Sequence, residues 1–280
     1  MKRPFIALIT DFGEDDFFVA SLKGVILRIN PGARIIDVTH QVPSFDIKQG
    51  SFILFSCYNY FPARTIFLVV VDPGVGSSRS ILLVKTEKYF FIAPDNGVLS
   101  LVLKSEEVQQ VIKVTNTKFF LEKPSKTFEG RDKMAPVAAW LSKGTTPSLF
   151  GPEIQDYEVL GKLEPIRKEG EITGSILHAD KFGNLITNIP KSMLNKLRKE
   201  AGKKRKAELI LLAKNKKIST FRENYSQGRR GELFYLIGSL NFVEIAARET
   251  SASSKLKAQV GDKVRIVMVK PKKKVIAKDK

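Results

Sequence analysis

The chain has 280 residues, which is long enough to bury a large core in one or two domains. It has no run of about eighteen apolar residues, and the short apolar run near its N-terminus lacks a cleavage pattern, so neither a membrane span nor a signal peptide is predicted. The single cysteine, Cys57, excludes an internal disulfide and favours the reducing cytoplasm. One cysteine and two histidines also argue against a zinc site.

The charge is unevenly distributed along the chain. Residues 1–160 carry 18 Lys and Arg against 17 Asp and Glu, whereas residues 161–280 carry 29 against 12. Ten basic residues fall within residues 196–217 and six within residues 270–280. Such a patch can bind nucleic acid or anionic lipid, with an affinity that falls steeply with salt. Because no aromatic residues interleave the run, a solvated lysine-rich surface is preferred and a nucleic-acid partner is not favoured.

The first 160 residues alternate between strand-like and helix-like patterns, which is typical of an α/β domain. Apolar runs bounded by turn residues predict five strands: residues 5–9, 34–38, 66–71, 80–86 and 89–93. Apolar side chains at helical spacing predict three helices: residues 17–30, 47–60 and 133–141. We therefore expect a mixed or parallel sheet with flanking helices over residues 1–160.

The pattern changes near residue 160. Residues 161–170 are charged and contain Pro165, which is typical of a linker. Short strand-like segments separated by Gly, Asn and Asp follow: residues 171–179, 184–189, 208–212, 233–238, 242–247 and 263–269. This spacing predicts an all-β, barrel-like domain over residues 171–270, followed by a basic tail at residues 271–280.

Three predicted strands of the first domain end in Asp or Asn close to Gly. Asp11 follows the first strand, Asp72 and Arg79 bracket the turn after the run at 66–71, and Asn96 follows the run at 89–93. Ligands of open α/β sheets bind just beyond the carboxyl ends of the strands, and glycines let the backbone approach a ligand. These residue types are also ordinary turn formers. Their recurrence favours one shared site at this edge of the sheet.

Six motifs occur in the order typical of one known family: residues 9–13, 37–43, 71–79, 93–97, 127–132 and 180–188. They resemble the adenosine-forming S-adenosylmethionine hydrolases, or SAM hydroxide adenosyltransferases, which are related to fluorinating and chlorinating enzymes. The resemblance covers nearly the whole chain. It implies an N-terminal α/β domain, a C-terminal β-barrel, and a homotrimer whose sites lie between one subunit's first domain and a neighbour's second.

The resemblance also implies a reaction at the ribose C5′ of S-adenosylmethionine. Water or hydroxide attacks, methionine leaves and adenosine is formed. The leaving sulfur is cationic, so its departure neutralises a charge and needs no general acid. The protein then has to bind the adenosine moiety, align the nucleophile with the C–S bond and exclude bulk water. S-adenosylmethionine is therefore the expected small-molecule partner, and no metal or other cofactor is expected.

The resemblance assigns substrate binding to seven residues: Asp11, Asn96, Asp180, Phe182, Asn184, Ser239 and Glu244. Asp11 matches a ribose-binding carboxylate, which can accept two hydrogen bonds from a vicinal diol. Phe182 lies among the ribose and adenine contacts, where a phenyl ring can pack on the purine face. The alternatives are core packing for Phe182 and surface exposure for Glu244.

The resemblance assigns catalysis to Asp72, Arg79 and the residue at position 129. Asp72 and Arg79 match two members of an Asp–Arg–His triad that holds and activates the water, but Glu129 replaces the histidine. If Glu129 lies near Asp72, one of the two carboxyl groups would have a raised pKa and could act as the base. Retained hydrolysis is preferred because a carboxylate can replace imidazole as a base. The alternative is a protein that binds S-adenosylmethionine or adenosine without turnover.

A halogenase is the nearest alternative activity. Halogenating relatives carry Tyr where Asp72 stands, and an anionic carboxylate would repel a halide by a few kcal/mol at short range in a dry site. The long insert that the fluorinating enzymes carry between the regions of Arg79 and Asn96 is also missing, because only residues 80–88 lead to the next strand. Hydroxide transfer is therefore preferred to halide transfer.

Overall fold

The computed structural model describes residues 4–161, 164–203 and 207–269. It divides into two compact units, unit 1 at Met1–Gly161 and unit 2 at Lys162–Lys280. The predicted basic tail at 271–280 lies outside the described residues, as do residues 204–206 of the basic run. No helix within the three described ranges is long and apolar enough to cross a bilayer.

Unit 1 contains a six-stranded sheet with helices beside it. Its strands are β1 (Phe5–Thr10), β2 (Arg34–Thr39), β3 (Ile66–Val70), β4 (Ile81–Thr86), β5 (Phe90–Pro94) and β6 (Val108–Lys113). Its helices are α1 (Phe18–Ile29), α2 (Ile47–Cys57), α3 (Ser100–Ser105) and α4 (Ala135–Ser142). A π-helical turn, Gly130–Met134, directly precedes α4, and short 3-10 helices lie at Tyr58–Tyr60, Thr117–Phe119 and Pro147–Phe150.

The order of strands in unit 1 is β2-β1-β3-β5-β4-β6. The strands β2, β1, β3 and β5 run parallel to one another, and β4 and β6 form antiparallel pairs. All five residues of β3 are buried, which explains why this strand is continuously apolar. The predicted mixed sheet is confirmed. Its parallel arrangement brings the carboxyl ends of β1, β3 and β5, and hence the three predicted turns, to one edge.

The helices predicted in unit 1 are confirmed, with differences at their ends. The α2 helix begins after Asp46, whose carboxylate accepts a hydrogen bond of 3.0 Å from the Gln49 N–H, and it ends at Cys57 rather than residue 60. The helix predicted at 133–141 begins earlier because of the π-helical turn. The short helix α3 and the strand β6 were not predicted from the sequence.

Unit 2 contains an antiparallel sheet. Its strands are β7 (Ile166–Lys168), β8 (Glu171–Ala179), β9 (Leu185–Pro190), β10 (Glu208–Ala213), β11 (Lys216–Ile218), β12 (Leu233–Ile237), β13 (Phe242–Ala247) and β14 (Lys263–Val269). The order is β11-β10-β14-β8-β9-β13-β12, with β7 paired to β8. A bridge from Phe221, just after β11, to Tyr235 of β12 nearly closes the sheet into the predicted barrel.

Two helices of unit 2 were not predicted: α5 (Lys191–Lys203) and α6 (Ala252–Leu256). In α5 the buried residues Leu194, Leu197 and Ala201 recur at helical spacing and belong to one face. Lys196 and Lys199 are exposed. These lysines form a solvated face, as the sequence favoured, whereas the Arg198 guanidinium lies 3.6 Å from the centroid of the Phe221 ring.

Candidate active site

Asp72 and Arg79 form a buried ion pair at the carboxyl end of β3. The Arg79 Nε lies 3.0 Å from each carboxylate oxygen of Asp72, and Nη2 also donates to Oδ2. The side chains of Arg79 and Asp72 are 10% and 6% exposed. Burial lowers the pKa of Arg79, but hydrogen bonds and charges from Asp72 and Glu129 outweigh burial and raise it. Arg79 is therefore a permanent cation.

Gly76 allows the turn between Asp72 and Arg79 to close tightly. Its φ is +80°, and a Cβ atom there would lie 2.6 Å from the carbonyl oxygen of Lys126. A glycine avoids both the left-handed strain and this overlap. The turn therefore packs directly against the segment that leads to Glu129.

Glu129 joins the ion pair from the start of the helix that continues into α4. Its side chain is 7% exposed; Oε2 accepts a hydrogen bond from Arg79 Nη2, and Oε1 accepts one from Lys133 Nζ. Burial raises the pKa of Glu129, but Lys133 and Arg79 outweigh burial and lower it. Glu129 is therefore not the carboxyl group of raised pKa that the sequence suggested, because Arg79 lies between it and Asp72.

The π-helical turn after Glu129 follows from Pro136. Proline has no N–H, so Pro136 cannot donate to the carbonyl of Asp132, four residues earlier. That carbonyl accepts a 2.9 Å hydrogen bond from the Leu121 N–H instead. The Ala135 N–H donates to the Gly130 carbonyl, five residues back, which is the hydrogen bond of a π-helix.

Gly130 allows this helix start to approach β3 closely. A Cβ atom at position 130 would lie 2.9 Å from Cγ1 of Val70, closer than ordinary packing permits. The absence of a side chain therefore lets the turn sit against the last residue of β3. This close approach places Glu129, the preceding residue, beside the Asp72–Arg79 pair.

Asp11 lies at the same edge of the sheet, directly after β1. Its Oδ2 accepts a 2.9 Å hydrogen bond from the N–H of Phe45, which has a left-handed φ of 66°. Burial raises the pKa of Asp11, the Phe45 N–H opposes that rise, and the negative charge of Asp72 adds to it. The two carboxylates are therefore close enough to influence each other, as expected of one shared site.

His40 helps to hold the Asp11 turn, which is the structural hydrogen-bonding role that is typical of a histidine near a turn. The imidazole is buried, with Nδ1 2.9 Å from the Thr10 hydroxyl oxygen. Its Nε2 lies 3.0 Å from Asp37 Oδ1, within ion-pair reach but outside hydrogen-bonding geometry. The His40 carbonyl accepts a 2.8 Å hydrogen bond from the Gly13 N–H. In the sequence, the feature that pointed to His40 was the family motif at residues 37–43.

Asn96 connects the turn after β5 to the end of β3. Its Nδ2 donates to the carbonyl of Val71 at 2.9 Å, and its Oδ1 accepts from the Val98 N–H at 3.1 Å. Asn96 therefore lies at the predicted edge and fixes the backbone there. A direct contact with substrate stays a prediction.

Protein side chains neutralise the carboxylates of this cluster. Arg79 and Lys133 provide the positive charges. Among residues 4–161, 164–203 and 207–269, no group of three or more His, Cys, Asp or Glu side chains is arranged to hold a metal ion.

Unit 2 holds a cavity of about 770 Å³. Three predicted binding residues line it: Asp180, Phe182 and Asn184. The other lining residues were not predicted: Tyr225, Ser226, Ala247, Arg248, Glu249, Thr250 and Ser251. The Asp180 Oδ1 accepts 2.9 Å hydrogen bonds from the N–H groups of Phe182 and Asn184, and Oδ2 accepts from Asn184 Nδ2 at 2.9 Å. Asp180 therefore sets the shape of the turn that carries Phe182.

The side chains of Phe182 and Glu244 have opposite environments. Phe182 is 70% exposed, which excludes the core-packing alternative within unit 2 and leaves a phenyl face at the cavity. Glu244 on β13 is buried rather than exposed, and burial raises its pKa. Its Oε1 accepts a 2.5 Å hydrogen bond from the hydroxyl of Tyr225, which lines the cavity. Glu244 thus lies one side chain behind the cavity wall.

Ser239 lies exposed in the turn between β12 and β13, and it is absent from the described lining of the cavity. Its contact with adenine stays a prediction. Tyr225 and Arg248 line the cavity without having been predicted, because no motif in the sequence marks them.

Comparisons with known proteins give matches to one family over nearly the whole chain. The model of the SAM hydroxide adenosyltransferase N-terminal domain matches residues 6–151, and that of the C-terminal domain matches residues 174–265. The chain is 30% identical to the (R)-S-adenosyl-L-methionine hydrolase of Methanocaldococcus jannaschii over 94% of this chain and 95% of that one. It is 32% identical to the (R)-S-adenosyl-L-methionine hydrolase of Salinispora tropica, over 94% and 97%.

A solved structure gives the same result for the fold. The crystal structure of an uncharacterized conserved protein from Thermotoga maritima is 36% identical and superimposes with a TM-score of 0.87, covering 94% of this chain and all of that one. Matches to both domain models account for the N-terminal α/β unit and the C-terminal barrel-like unit alike. This chain therefore belongs to the SAM hydroxide adenosyltransferase family.

Proposed function

We propose that this protein hydrolyses S-adenosylmethionine at the ribose C5′, giving adenosine and L-methionine. The observation that carries this proposal is the buried cluster of Asp72, Arg79 and Glu129 at the carboxyl end of β3. Family membership supports it, and relatives matching nearly the whole chain are named (R)-S-adenosyl-L-methionine hydrolases. In the reaction the water oxygen bonds to C5′, and the C5′–S electron pair returns to sulfur. The attacking water loses one proton to solvent, so that the sulfonium cation and water give adenosine, methionine and H⁺.

Asp72 is the group that we propose to orient the attacking water. Each carboxylate oxygen can accept about two hydrogen bonds, so Asp72 retains acceptor capacity beside Arg79. A water that donates to Asp72 keeps its lone pairs available for in-line attack on C5′. Glu129 is held between two cations, with one oxygen accepting a hydrogen bond from Arg79 and the other from Lys133. In this proposal Glu129 therefore fixes Arg79, and Arg79 fixes the Asp72 carboxylate.

Substrate binding is proposed for the residues that the family resemblance assigns: Asp11, Asn96, Asp180, Phe182, Asn184, Ser239 and Glu244. Asp11 suits the ribose diol because a carboxylate can accept two hydrogen bonds from it. The exposed ring of Phe182 suits the purine face. The reaction needs only substrate and water, because the sulfonium leaving group departs as a neutral thioether.

A homotrimer with sites shared between subunits, located in the cytoplasm, belongs to the same proposal. The family resemblance supports the assembly, and the single cysteine supports a reducing compartment. Light scattering coupled to size-exclusion chromatography measures the oligomeric state directly. A monomer that retains full turnover would exclude sites completed by a neighbouring subunit.

The decisive experiment incubates the purified full chain with each sulfonium epimer of S-adenosylmethionine in H₂¹⁸O. We expect equal amounts of adenosine and methionine, with ¹⁸O in the adenosine 5′-hydroxyl, from the wild type and from the surface control Lys23→Met. Asp72→Asn should abolish both products because the amide accepts fewer hydrogen bonds and carries no charge.

Three other outcomes would contradict the proposal. Calorimetric binding without product would identify a non-catalytic nucleoside-binding protein. A 5′-halogenated nucleoside formed in the presence of chloride or fluoride would identify a halogenase, which the carboxylate of Asp72 disfavours. Adenosine without ¹⁸O would exclude attack of water at C5′.

A further inference from the structure

Lys133 is a fourth charged member of the cluster, beside Asp72, Arg79 and Glu129. It lies one helical turn after Glu129, and its Nζ donates a hydrogen bond to Glu129 Oε1. Its side chain is 26% exposed, so it lies between the buried carboxylate and solvent. Its Nζ is also 5.7 Å from the ring centroid of Phe120. Lys133 is therefore held by two contacts at the mouth of a buried ion cluster.

Among the residues joined by ion pairs in the cluster, the charges balance only when Lys133 is included. Asp72 and Glu129 carry two negative charges, and Arg79 carries one positive charge. The side chains of these three residues are between 6% and 10% exposed, so solvent screens them poorly. The ammonium group of Lys133 brings the net charge to zero. Buried charges are tolerated when they are paired and hydrogen-bonded in this way.

We propose that Lys133 is a positioning residue of the site, which keeps Glu129 anionic and turned toward Arg79, so that Arg79 holds Asp72 in place for the attacking water. The proposal rests on the function proposed above. The two oxygens of Glu129 are divided between the two cations: Oε1 binds Lys133 and Oε2 binds Arg79. Loss of Lys133 frees one oxygen of a buried carboxylate and leaves the cluster with one excess negative charge.

The charged groups that face Glu129 come from two elements. Lys133 lies on its own helix, and Arg79, with Asp72 behind it, lies on the turn after β3. Asp11, after β1, acts on Asp72 through its charge. When Lys133 is absent, two carboxylates share the single cation Arg79, and one of them takes up a proton at a higher pH. Activity should therefore fall off at a higher pH on the acid side.

The test is the pH dependence of kcat/KM for Lys133→Met and Lys133→Arg. We expect Lys133→Met to move the acid limb upward by about one pH unit, which is a loss of about tenfold in kcat/KM on that limb. The loss should lie mainly in kcat, since Lys133 acts on the water-holding group. Lys133→Arg keeps the charge and should restore most of the activity. Lys143→Met removes a lysine from the end of the same helix and should leave the profile unchanged.

A second background separates positioning from a merely structural role. Glu129→His places a neutral imidazole, the residue that the family pattern has here, where the carboxylate stood. Because position 129 then carries no carboxylate for Lys133 to neutralise, Lys133→Met should lower kcat/KM only slightly in the Glu129→His background. In the background that keeps Glu129, the same substitution should lower kcat/KM strongly. An equal loss of kcat/KM in both backgrounds, or a wild-type pH profile for Lys133→Met, would overturn the proposal. Circular dichroism of each variant checks that it is folded.

Failure of the proposed function can be distinguished from failure of this inference. If the wild type gives no product from either sulfonium epimer, the hydrolase function has failed. The inference is then decided by ¹³C NMR titration of the Glu129 carboxyl, assigned by its loss in Glu129→Gln. Lys133→Met must raise the pH at which that signal titrates. An unchanged titration overturns the inference even if the wild type is an active hydrolase.

Discussion

Removal of Arg79 should show how much this cation contributes to the stability of the folded protein. In Arg79→Met two carboxylates lose the cation between them, while a side chain of similar length fills the space. The side chains of Asp72 and Glu129 are only 6% and 7% exposed, so water cannot replace the guanidinium. Removing one partner of a buried ion pair costs about 3–5 kcal/mol of unfolding free energy. We expect a loss in this range at about pH 7.5, together with loss of turnover.

The loss should depend on pH in a defined direction. In the wild type the pKa of Glu129 is lowered, so its contribution to stability is present above its ordinary value and is lost as the pH falls through the lowered value. In Arg79→Met the crowded carboxylates take up a proton more readily, which relieves their repulsion. The difference in unfolding free energy between variant and wild type should therefore shrink as the pH falls toward about 5.

Urea unfolding followed by tryptophan fluorescence measures this difference. The only tryptophan of the chain, Trp140, lies on α4, so its signal reports unit 1. Lys23→Met is the matched control, because its ion pair with Asp37 has side chains that are 33% and 41% exposed. That control should lose no more than about 1 kcal/mol. A loss in Arg79→Met equal to the control, or one that does not change with pH, would refute the reasoning.

Three further outcomes are expected. Gly76→Ala should lower the unfolding free energy by about 1–3 kcal/mol, since its φ is +80° and a Cβ would meet a carbonyl oxygen at 2.6 Å. Gly144→Ala, where φ is +100° and no atom lies within 4 Å, should lower the unfolding free energy by a smaller amount, as measured by urea unfolding. Phe182→Ala should weaken adenosine binding about tenfold by calorimetry without changing the Tm, and an unchanged Kd would exclude purine packing. The wild type should lose stability as the pH rises through the raised pKa of Glu244, and Glu244→Gln should not show this decline. Identical slopes of Tm against pH for the variant and the wild type would contradict this.

Among the described residues, local patterns predicted most strands but only three of the six α-helices. The β3 run is apolar throughout because the strand is buried on both faces, and the bounds predicted for β8, β13 and β14 match the structure. The helix α5 was missed although Leu194, Leu197 and Ala201 have helical spacing, because its many lysines were interpreted only as charge. A pattern that is both amphipathic and strongly basic contains two signals, and the helical one was not used.

The structure brings the predicted residues after β1, β3 and β5 together at one edge of the sheet, but their internal arrangement could not be predicted from the sequence. The turns after β1, β3 and β5 could be placed together because parallel strands end at one edge. The burial of Glu244 could not be predicted, since an alternating strand pattern does not say which face a carboxylate occupies when Gly238 leaves room for it. The hydrogen bond from Tyr225 to Glu244 joins residues on different elements and has no local signal.

The sequence by itself determined where the strands end, which residue types stand at those ends and which family's motifs the chain carries. These properties depend on residues close together along the chain, where periodicity and turn chemistry act. Only the tertiary structure decided the charge state of the site. Arg79 and Glu129 are fifty residues apart in the chain, and Lys133 and Arg79 together lower the pKa of Glu129. The sequence had left open whether Asp72 or Glu129 would be the carboxyl group of raised pKa. A buried carboxylate takes its pKa from whichever charges the fold brings beside it, and that neighbourhood exists only after the chain has folded.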